Sequence, residues 1–186
     1  MRAWKALEIA PERSAAYVEG MTSVRAAQLY FDDFYAWTQL QAKELRRLAR
    51  SRPNVPIDLP HVAEEIADLG KSQRDSLRSW ARRILEHLLL LEHSPADEPR
   101  RGWTAEIVNL RSEIEDRLTP SLQRDLRRRL PLLYDRARSD LRKKLAPYGE
   151  AHIIGSLPER SPYTLDQVLG DFWPAPRHDD SNQDEA

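Results

Sequence analysis

His61, Glu64, Glu65 and His87 are the residues of this sequence that could bind a metal ion. Carboxylates and histidines on the helices of a bundle can converge on a di-metal centre. Such centres use Glu-x-x-His on two helices, whereas this chain has only the reversed spacing, His61-x-x-Glu64. At about 1.5 Å per residue, Glu65 and His87 would also lie about 33 Å apart along one helix. We therefore expect no metal site, with the glutamates in charge networks and His87 as a partly buried, hydrogen-bonded residue.

Arg83 and His87 could instead act on a phosphodiester. Arg82 and Arg83 precede His87 by five and four residues, a spacing similar to the Arg-x4-His motif of HEPN ribonucleases. In such a site the arginine would stabilise phosphate charge while the histidine moves a proton. Arginine is abundant throughout this chain, so the same spacing arises readily by chance. A HEPN-like ribonuclease using Arg83 and His87 is therefore the alternative function, and a packed histidine beside a solvated arginine is the structural interpretation.

A second arginine cluster comprises Arg124, Arg127, Arg128 and Arg129. It could bind phosphate or an acidic partner. Asp125 interrupts the cluster, and acidic residues are plentiful elsewhere in the chain. We interpret the cluster as a solvated helix face.

Composition excludes several classes of function. The 186 residues include no cysteine, which removes thiol nucleophiles, disulfides and cysteine-based metal sites. The longest strongly apolar run, Leu88 to Leu91, is far shorter than the roughly 20 residues of a membrane span. The formal net charge of −1 provides no strong field for phosphate backbones. We expect a cytoplasmic protein that uses no cofactor, does not contact a membrane and does not favour nucleic acid.

Helical periodicity dominates the chain. Phe34, Trp37, Gln41, Leu45 and Leu48 recur at helical spacing and predict a first helix over residues 32–50. The second helix is predicted from an N-cap at Asp58 to about His93, and it carries one long apolar stripe. That stripe comprises Val62, Ile66, Leu69, Gln73, Leu77, Trp80, Ile84, Leu88 and Leu91. Gly70 is unfavourable within a helix, but the apolar stripe keeps the same spacing on both sides of it. This favours a bend in the helix or a close contact with another helix over a break in the helix.

Three more helices are predicted beyond the loop that begins at Ser94-Pro95. Residues 103–118 carry an apolar pattern, and Thr119-Pro120 has the form of an N-cap followed by proline at the first position of a further helix to Leu145. Pro131 should kink or divide that helix. Thr164 and Gln167 have the spacing of a capping box for a short C-terminal helix. The tryptophans at 37, 80, 103 and 173 lie on or beside apolar stripes, which favours core packing.

These patterns predict an all-α fold, namely a four-helix, bundle-like domain with one long central helix and a short C-terminal helix. Residues 1–25 are predicted to be a flexible extension, in which Met21 offers a second possible start. Residues 26–176 are predicted to form a single helical domain. Residues 177–186 are polar and acidic, and we expect a disordered tail.

Short blocks of sequence also resemble a known family. These blocks are Asp33-Phe34-Tyr35-Ala36-Trp37 with Gln41, Ala63-Glu64-Glu65-Ile66 with Leu69-Gly70, His87-Leu88-Leu89 before Pro95, Trp103, and Pro162-Tyr163-Thr164-Leu165. In this order, from about Leu29 to Pro174, they resemble the bacterial domain-of-unknown-function family 29. The resemblance implies a helical bacterial protein and no particular activity. It marks ten positions without assigning them roles: Asp33, Trp37, Gln41, Glu64, Glu65, Gly70, His87, Trp103, Pro162 and Tyr163.

The chain departs from the family pattern directly after His87. Leu90-Leu91-Glu92-His93 stands where the family more typically has a lysine, a tryptophan, a polar residue and a tyrosine. No constellation in the sequence combines a nucleophile, a base and a group that orients the base. We therefore expect a non-enzymatic protein-interaction or regulatory module whose partner is another protein or a second copy of the chain.

Overall fold

The computed structural model describes residues 24, 26–148 and 151–177, and within that part every regular element is helical. A helical segment at 26–32 precedes six α-helices. They are α1 (Phe34–Arg50), α2 (Leu59–His93), α3 (Arg100–Glu115), α4 (Pro120–Leu145), α5 (Ala151–Ser156) and α6 (Leu165–Leu169), with a 3₁₀ turn at Ala146–Tyr148 after α4. The predicted all-α fold, the long second helix and the short C-terminal helix are confirmed, whereas α5 was not predicted.

The ends of the helices are set by local capping groups. The Asp33 carboxylate accepts a 3.0 Å hydrogen bond from the backbone N–H of Ala36 and so caps α1. Thr119 caps α4, with Pro120 in its first position. The predicted capping box begins α6, since Thr164 and Gln167 each accept a hydrogen bond from the other's backbone N–H. Pro131 does not divide α4, which continues as one helix of 26 residues.

The chain divides into two compact units, Met1–Gly70 and Lys71–Ala186. The prediction of a single domain over residues 26–176 stays a prediction. Apart from residue 24, the predicted flexible extension lies outside the described residues, and so do residues 178–186 of the predicted acidic tail.

The first unit contains an antiparallel hairpin of α1 and the start of α2. Small side chains form its interface. Thr38 and Ala42 of α1 are fully buried, and Ala63 and Ala67 of α2 are at most 2% exposed. Gly70 lies directly against Thr38, where a Cβ atom would collide with the threonine Oγ1. The predicted close helix contact at Gly70 is therefore confirmed.

The second unit is organised around the remainder of α2. Its core consists of aliphatic side chains from four helices: Leu77, Ile84 and Leu88 of α2, Ile107 and Ile114 of α3, Leu122, Leu126 and Leu141 of α4, and Leu165 and Val168 of α6. The stripe predicted along α2 is thus correct in this unit. Toward the start of α2 it is wrong as a prediction of burial, because Val62 and Leu69 are 37% and 57% exposed.

Ion pairs join α2 to α4 beside this core. Arg78 binds both carboxylate oxygens of Asp125, each at 2.7 Å. Lys144 reaches the buried carboxylate of Glu86 at 2.5 Å. Burial alone would raise the pKa of Asp125, but hydrogen bonds from Arg78 and Arg128 outweigh it and hold that pKa below its usual value. These pairs fix the rotation of α4 against α2.

The backbone after α6 is held by one arginine of α3. Arg111 donates to the carbonyl oxygens of Gln167, Val168 and Phe172 at 2.9 to 3.0 Å, and its guanidinium lies 4.9 Å from the ring of Trp173. A cation at the carboxyl end of a helix satisfies carbonyls that have no partner within the helix. Arg111 therefore anchors both α6 and the segment that follows it. In the described part of the chain no helix is both long and apolar enough to cross a membrane.

Candidate functional site

The structure brings Arg83 and His87 together on a third residue, Glu106 of α3. Arg83 Nε lies 2.6 Å from one carboxylate oxygen of Glu106. His87 Nε2 lies 3.3 Å from the other, without the angle of a hydrogen bond. Within the described residues neither ring nitrogen of His87 has a hydrogen-bond partner, so the predicted hydrogen bond to His87 is not found there. The three side chains form one cluster, which we call the Glu106 cluster.

Burial dominates the electrostatics of His87. Its side chain is 13% exposed. Desolvation lowers its pKa, while the carboxylates of Glu106 and Glu86 oppose that shift without cancelling it. The imidazole is therefore neutral around pH 7, packed at the edge of the core.

The Glu106 cluster is poorly arranged for phosphodiester chemistry. The charge of Arg83 is already paired with a carboxylate, so a phosphate would have to displace Glu106 or share the guanidinium. A carboxylate next to the reacting position would also repel the phosphate. These contacts are those of an ion pair between α2 and α3 at the protein surface, where the Arg83 side chain is 57% exposed.

The residues considered for metal binding do not form a site. His61 pairs with Asp58 at 2.5 Å on the surface of the first turn of α2. Glu64 and Glu65 are exposed. Among the described residues, no group of three or more metal-binding side chains lies close enough to hold an ion.

The hairpin of the first unit presents a contiguous set of apolar side chains. In both helices an apolar residue comes directly before a residue of the hairpin interface, as Trp37 before Thr38 and Leu69 before Gly70. One residue corresponds to about 100° of rotation, and in an antiparallel pair the same rotation places both stripes on one side. We call this set the apolar side of the hairpin: Phe34, Trp37, Leu45 and Leu48 from α1, and Val62, Ile66 and Leu69 from α2.

Much of this side is accessible. Leu48, Val62 and Leu69 are exposed, and the other four members are half-buried. In the described part of the chain, eleven large hydrophobic side chains are exposed, and eight of these lie between residues 24 and 69. Tyr30 also lies 4.9 Å from Trp37 between ring centres, which extends the set with a partly exposed aromatic ring. Clustering of this kind on a small helical unit is typical of an interaction surface.

Other marked positions have structural roles. Asp33 caps α1, and Gly70 allows the close helix contact. Gln41, Trp37 and Trp103 are half-buried, and Pro162 is exposed before α6. The expected core packing of the tryptophans is wrong for Trp173, which is 41% exposed, while Trp80 is half-buried under Arg117.

Tyr163 joins the segment before α6 to the end of α2. Its hydroxyl donates a 2.5 Å hydrogen bond to the buried carboxylate of Glu92. Arg177 Nε donates to the other oxygen of that carboxylate at 2.7 Å. Burial and the hydrogen bond to Glu92 both raise the pKa of Tyr163. Glu92 belongs to the run in which this chain departs from the family pattern, so the departure coincides with a local network.

Sequence reasoning missed Glu106, Glu92 and Arg111. Each contacts residues far away in the chain, and none stands in a recognisable motif. A shallow groove of about 520 Å³ in the second unit was also not predicted. Its lining comprises Leu91, Arg100, Arg101, Thr104, Ala105, Trp173 and Pro174. That lining supplies no acid, base and nucleophile together.

Comparison with known proteins agrees with the helical fold. A family model described as "Domain of unknown function DUF29" matches residues 29–173. The crystal structure of an alpha-helical protein of unknown function from Rhodospirillum rubrum is similar, with 30% sequence identity and a TM-score of 0.64. The match covers 75% of this chain and 88% of that one. No curated protein matches.

Proposed function

This chain belongs to the DUF29 family, a domain of unknown function, and we propose that it works as a non-enzymatic protein-interaction or regulatory module. The proposal rests on one observation, the exposed apolar side of the hairpin. Its partner would be an amphipathic helix of another protein or of a second copy of the chain. We place this activity in the cytoplasm, in keeping with the cysteine-free sequence.

The geometry of the hairpin suits helix binding. The two helices approach closely through alanine, threonine and glycine, which brings their apolar stripes near each other on one side of the hairpin. Leu48, Val62 and Leu69 can contact residues at i, i+3 and i+4 of an added helix. Leu48, Val62 and Leu69 are 47%, 37% and 57% exposed, so covering them completely would contribute roughly half of the about 1.5 to 3 kcal/mol that a fully exposed aliphatic side chain gains on burial.

The enzymatic alternative has weaker support. A ribonuclease site needs a cation that is free to bind phosphate and a histidine that can exchange a proton. Arg83 is paired with Glu106, and His87 is desolvated. Assays on both residues separate the two functions and are described among the predictions below.

The test compares Leu69→Asp with Glu64→Lys. Both residues are exposed on α2. Glu64 comes directly after the interface residue Ala63, whereas Leu69 comes directly before the interface residue Gly70. The two side chains therefore point to opposite sides of the hairpin. Self-association is measured by sedimentation velocity over a range of concentrations, and partners are captured from the native cell with tagged protein. Leu69→Asp should abolish the association while Glu64→Lys keeps it.

Circular dichroism melts show whether both variants are folded. Equal association of parent and Leu69→Asp, both folded, would contradict the proposal. Loss in both variants would assign the binding to charge and would also contradict it.

A further inference from the structure

The shallow groove of the second unit lies between three segments of the chain: the end of α2, the start of α3 and the segment after α6. We call it the Trp173 groove. Its volume of about 520 Å³ is within the range of pockets that hold small molecules. All of its lining residues belong to the second unit, so a ligand bound there would not contact the apolar side of the hairpin.

Trp173 gives the groove a flat apolar surface. The residue is 41% exposed, and its ring lies 4.9 Å from the guanidinium of Arg111, which also holds the carbonyl oxygen of Phe172. The ring is thus held in place while part of it stays accessible. Leu91 and Pro174 add aliphatic surface beside it. An accessible, positioned indole favours a ligand with an aromatic body that can stack on it.

The charge of the groove is positive. Two arginines belong to its described lining, and no aspartate or glutamate does. Arg100 donates to the carbonyl oxygens of Leu91 and Ser94 at 2.8 and 3.4 Å, which anchors its guanidinium beside the groove. Arg101 is exposed, and no hydrogen bond or ion pair joins it to another described residue. The groove therefore favours an anionic ligand, with Arg101 as the cation that is free to bind it.

The start of α3 adds to this positive potential. In the described chain the backbone N–H groups of Arg101 and Gly102 have no acceptor, and Pro99 provides no side-chain cap. Such N–H groups carry the partial positive charge of a helix amino terminus. No atom lies within 4 Å of the position that a Cβ would take at Gly102, so this turn is open to solvent. Arg101 and the helix start thus attract the same kind of ligand.

We propose that the Trp173 groove binds a small aromatic carboxylate. The aromatic body lies against the Trp173 ring, and the carboxylate accepts hydrogen bonds from the Arg101 guanidinium. The lining offers no general base beside the Thr104 hydroxyl, which donates to the Arg100 carbonyl oxygen at 2.9 Å, so the ligand is bound without being changed. A ligand there bridges α3 and the segment after α6. It therefore stabilises the second unit as its concentration rises.

Two probes of the same shape test the role of charge: 2-naphthoate, which is anionic, and 2-naphthamide, which is neutral. Each is titrated into the full-length protein, and the backbone amide and indole N–H signals are followed by NMR. For 2-naphthoate we expect a dissociation constant on the order of 1 mM, as for a ligand of about 13 non-hydrogen atoms. Signals of Leu91, residues 100–105 and Trp173 should shift. 2-Naphthamide should bind about three- to fivefold more weakly, the effect of one exposed ion pair.

Three variants assign the contacts. Arg101→Gln should weaken 2-naphthoate by about three- to fivefold and remove its advantage over 2-naphthamide. Arg142→Gln is the matched control, because Arg142 is an exposed arginine of α4 outside the lining, and it should leave both affinities unchanged. Trp173→Leu keeps an apolar side chain but removes the ring, so both probes should bind more weakly. The amide spectra of the variants show whether they are folded.

Four outcomes would overturn the proposal: no shift of the groove signals, equal affinity for the two probes, unchanged binding in folded Arg101→Gln or Trp173→Leu, or shifts confined to residues 34–69. The last would place the probe on the apolar side of the hairpin. Leu69→Asp, which tests the proposed function, should leave binding in the groove unchanged. The two proposals can therefore fail independently.

Discussion

Thr38 and Gly70 lie so close together that no side chain fits between them. The predicted consequence is that Gly70→Ala destabilises the hairpin by about 1 to 3 kcal/mol, the usual cost of overpacking a tight contact. The gain of about 1 kcal/mol in helix propensity offsets only part of this. Denaturant unfolding of single and double variants measures the effect.

Two matched variants test the cause. Thr38→Ala removes the Oγ1 that would collide and should restore most of the stability lost in Gly70→Ala. Gly102→Ala adds the same methyl group where no atom lies within 4 Å, and should stabilise α3. A Gly70→Ala protein as stable as the parent would show that the helices separate without cost.

Tyr163→Phe should cost about 1.5 to 3 kcal/mol, the range for a hydrogen bond to a charged group, because Glu92 loses a donor inside the protein. Tyr134→Phe is the matched control, since that hydroxyl donates at 2.7 Å to a neutral acceptor, the carbonyl oxygen of Pro158. It should cost about 0.5 to 1.5 kcal/mol. The prediction fails if the two variants unfold at the same denaturant concentration.

Arg83 and His87 are tested together. His87→Ala should lower stability by about 1 to 3 kcal/mol because the ring is largely buried. Arg83→Ala should lower it by less than about 1 kcal/mol, as for other exposed ion pairs. Neither change should alter RNA cleavage by the purified protein. Cleavage that vanishes in both variants, while their melts match the parent, would establish the HEPN-like alternative instead.

Stability should fall as the solution is acidified below neutrality. In the unfolded chain His87 titrates near its ordinary pKa of 6.5, whereas burial lowers the pKa in the folded protein. Between these two values only the unfolded state binds the proton, so the free energy of unfolding decreases as pH falls from about 6.5 toward the folded pKa. Burial lowers the pKa of His93 as well, which adds a slope of the same sign.

The His87→Gln variant checks this linkage by chemical denaturation between pH 7.5 and 5. It should flatten the slope by at most about 1.4 kcal/mol per pH unit, the limit for one proton. His61 has the opposite sign, because its hydrogen bond with Asp58 raises its pKa. His61→Gln should therefore not flatten the acid slope. A slope that His87→Gln leaves unchanged would assign the acid sensitivity to other groups.

The helices could be predicted because their ends depend on nearby residues. The Thr164–Gln167 capping box and the Thr119-Pro120 start act within one turn, so periodicity and caps place them almost correctly. Helix α3 begins at Arg100, three residues before the start that periodicity predicts, because Pro99 provides no side-chain cap hydrogen bond that would mark the start in the sequence.

The candidate site depended on pairings that local sequence does not encode. Glu106 contacts Arg83 and His87, and Asp125 binds Arg78. The chain has 30 acidic residues, and opposite charge alone would allow many of them to pair with these cations. Only the packing of the aliphatic core selects among them. Periodicity likewise identified Val62 and Leu69 as apolar but could not tell core from exposed surface.

Arg111 has a consequence for how the C-terminal segment can vary. All three of its hydrogen-bond partners are backbone carbonyl oxygens, and every amino acid supplies that group. These hydrogen bonds therefore do not depend on the side chains of residues 167–172, although Val168 is buried, the Phe172 ring lies 6.0 Å from that of Tyr163, and Gly170 has no room for a Cβ atom. Homologues could accumulate many substitutions along this stretch while keeping its course, provided that the arginine itself is retained. A saturation library at positions 169 and 171 should tolerate most changes, whereas libraries at Arg111 and at Gly170, where a Cβ would lie 2.7 Å from the Asp166 carbonyl oxygen, should tolerate few.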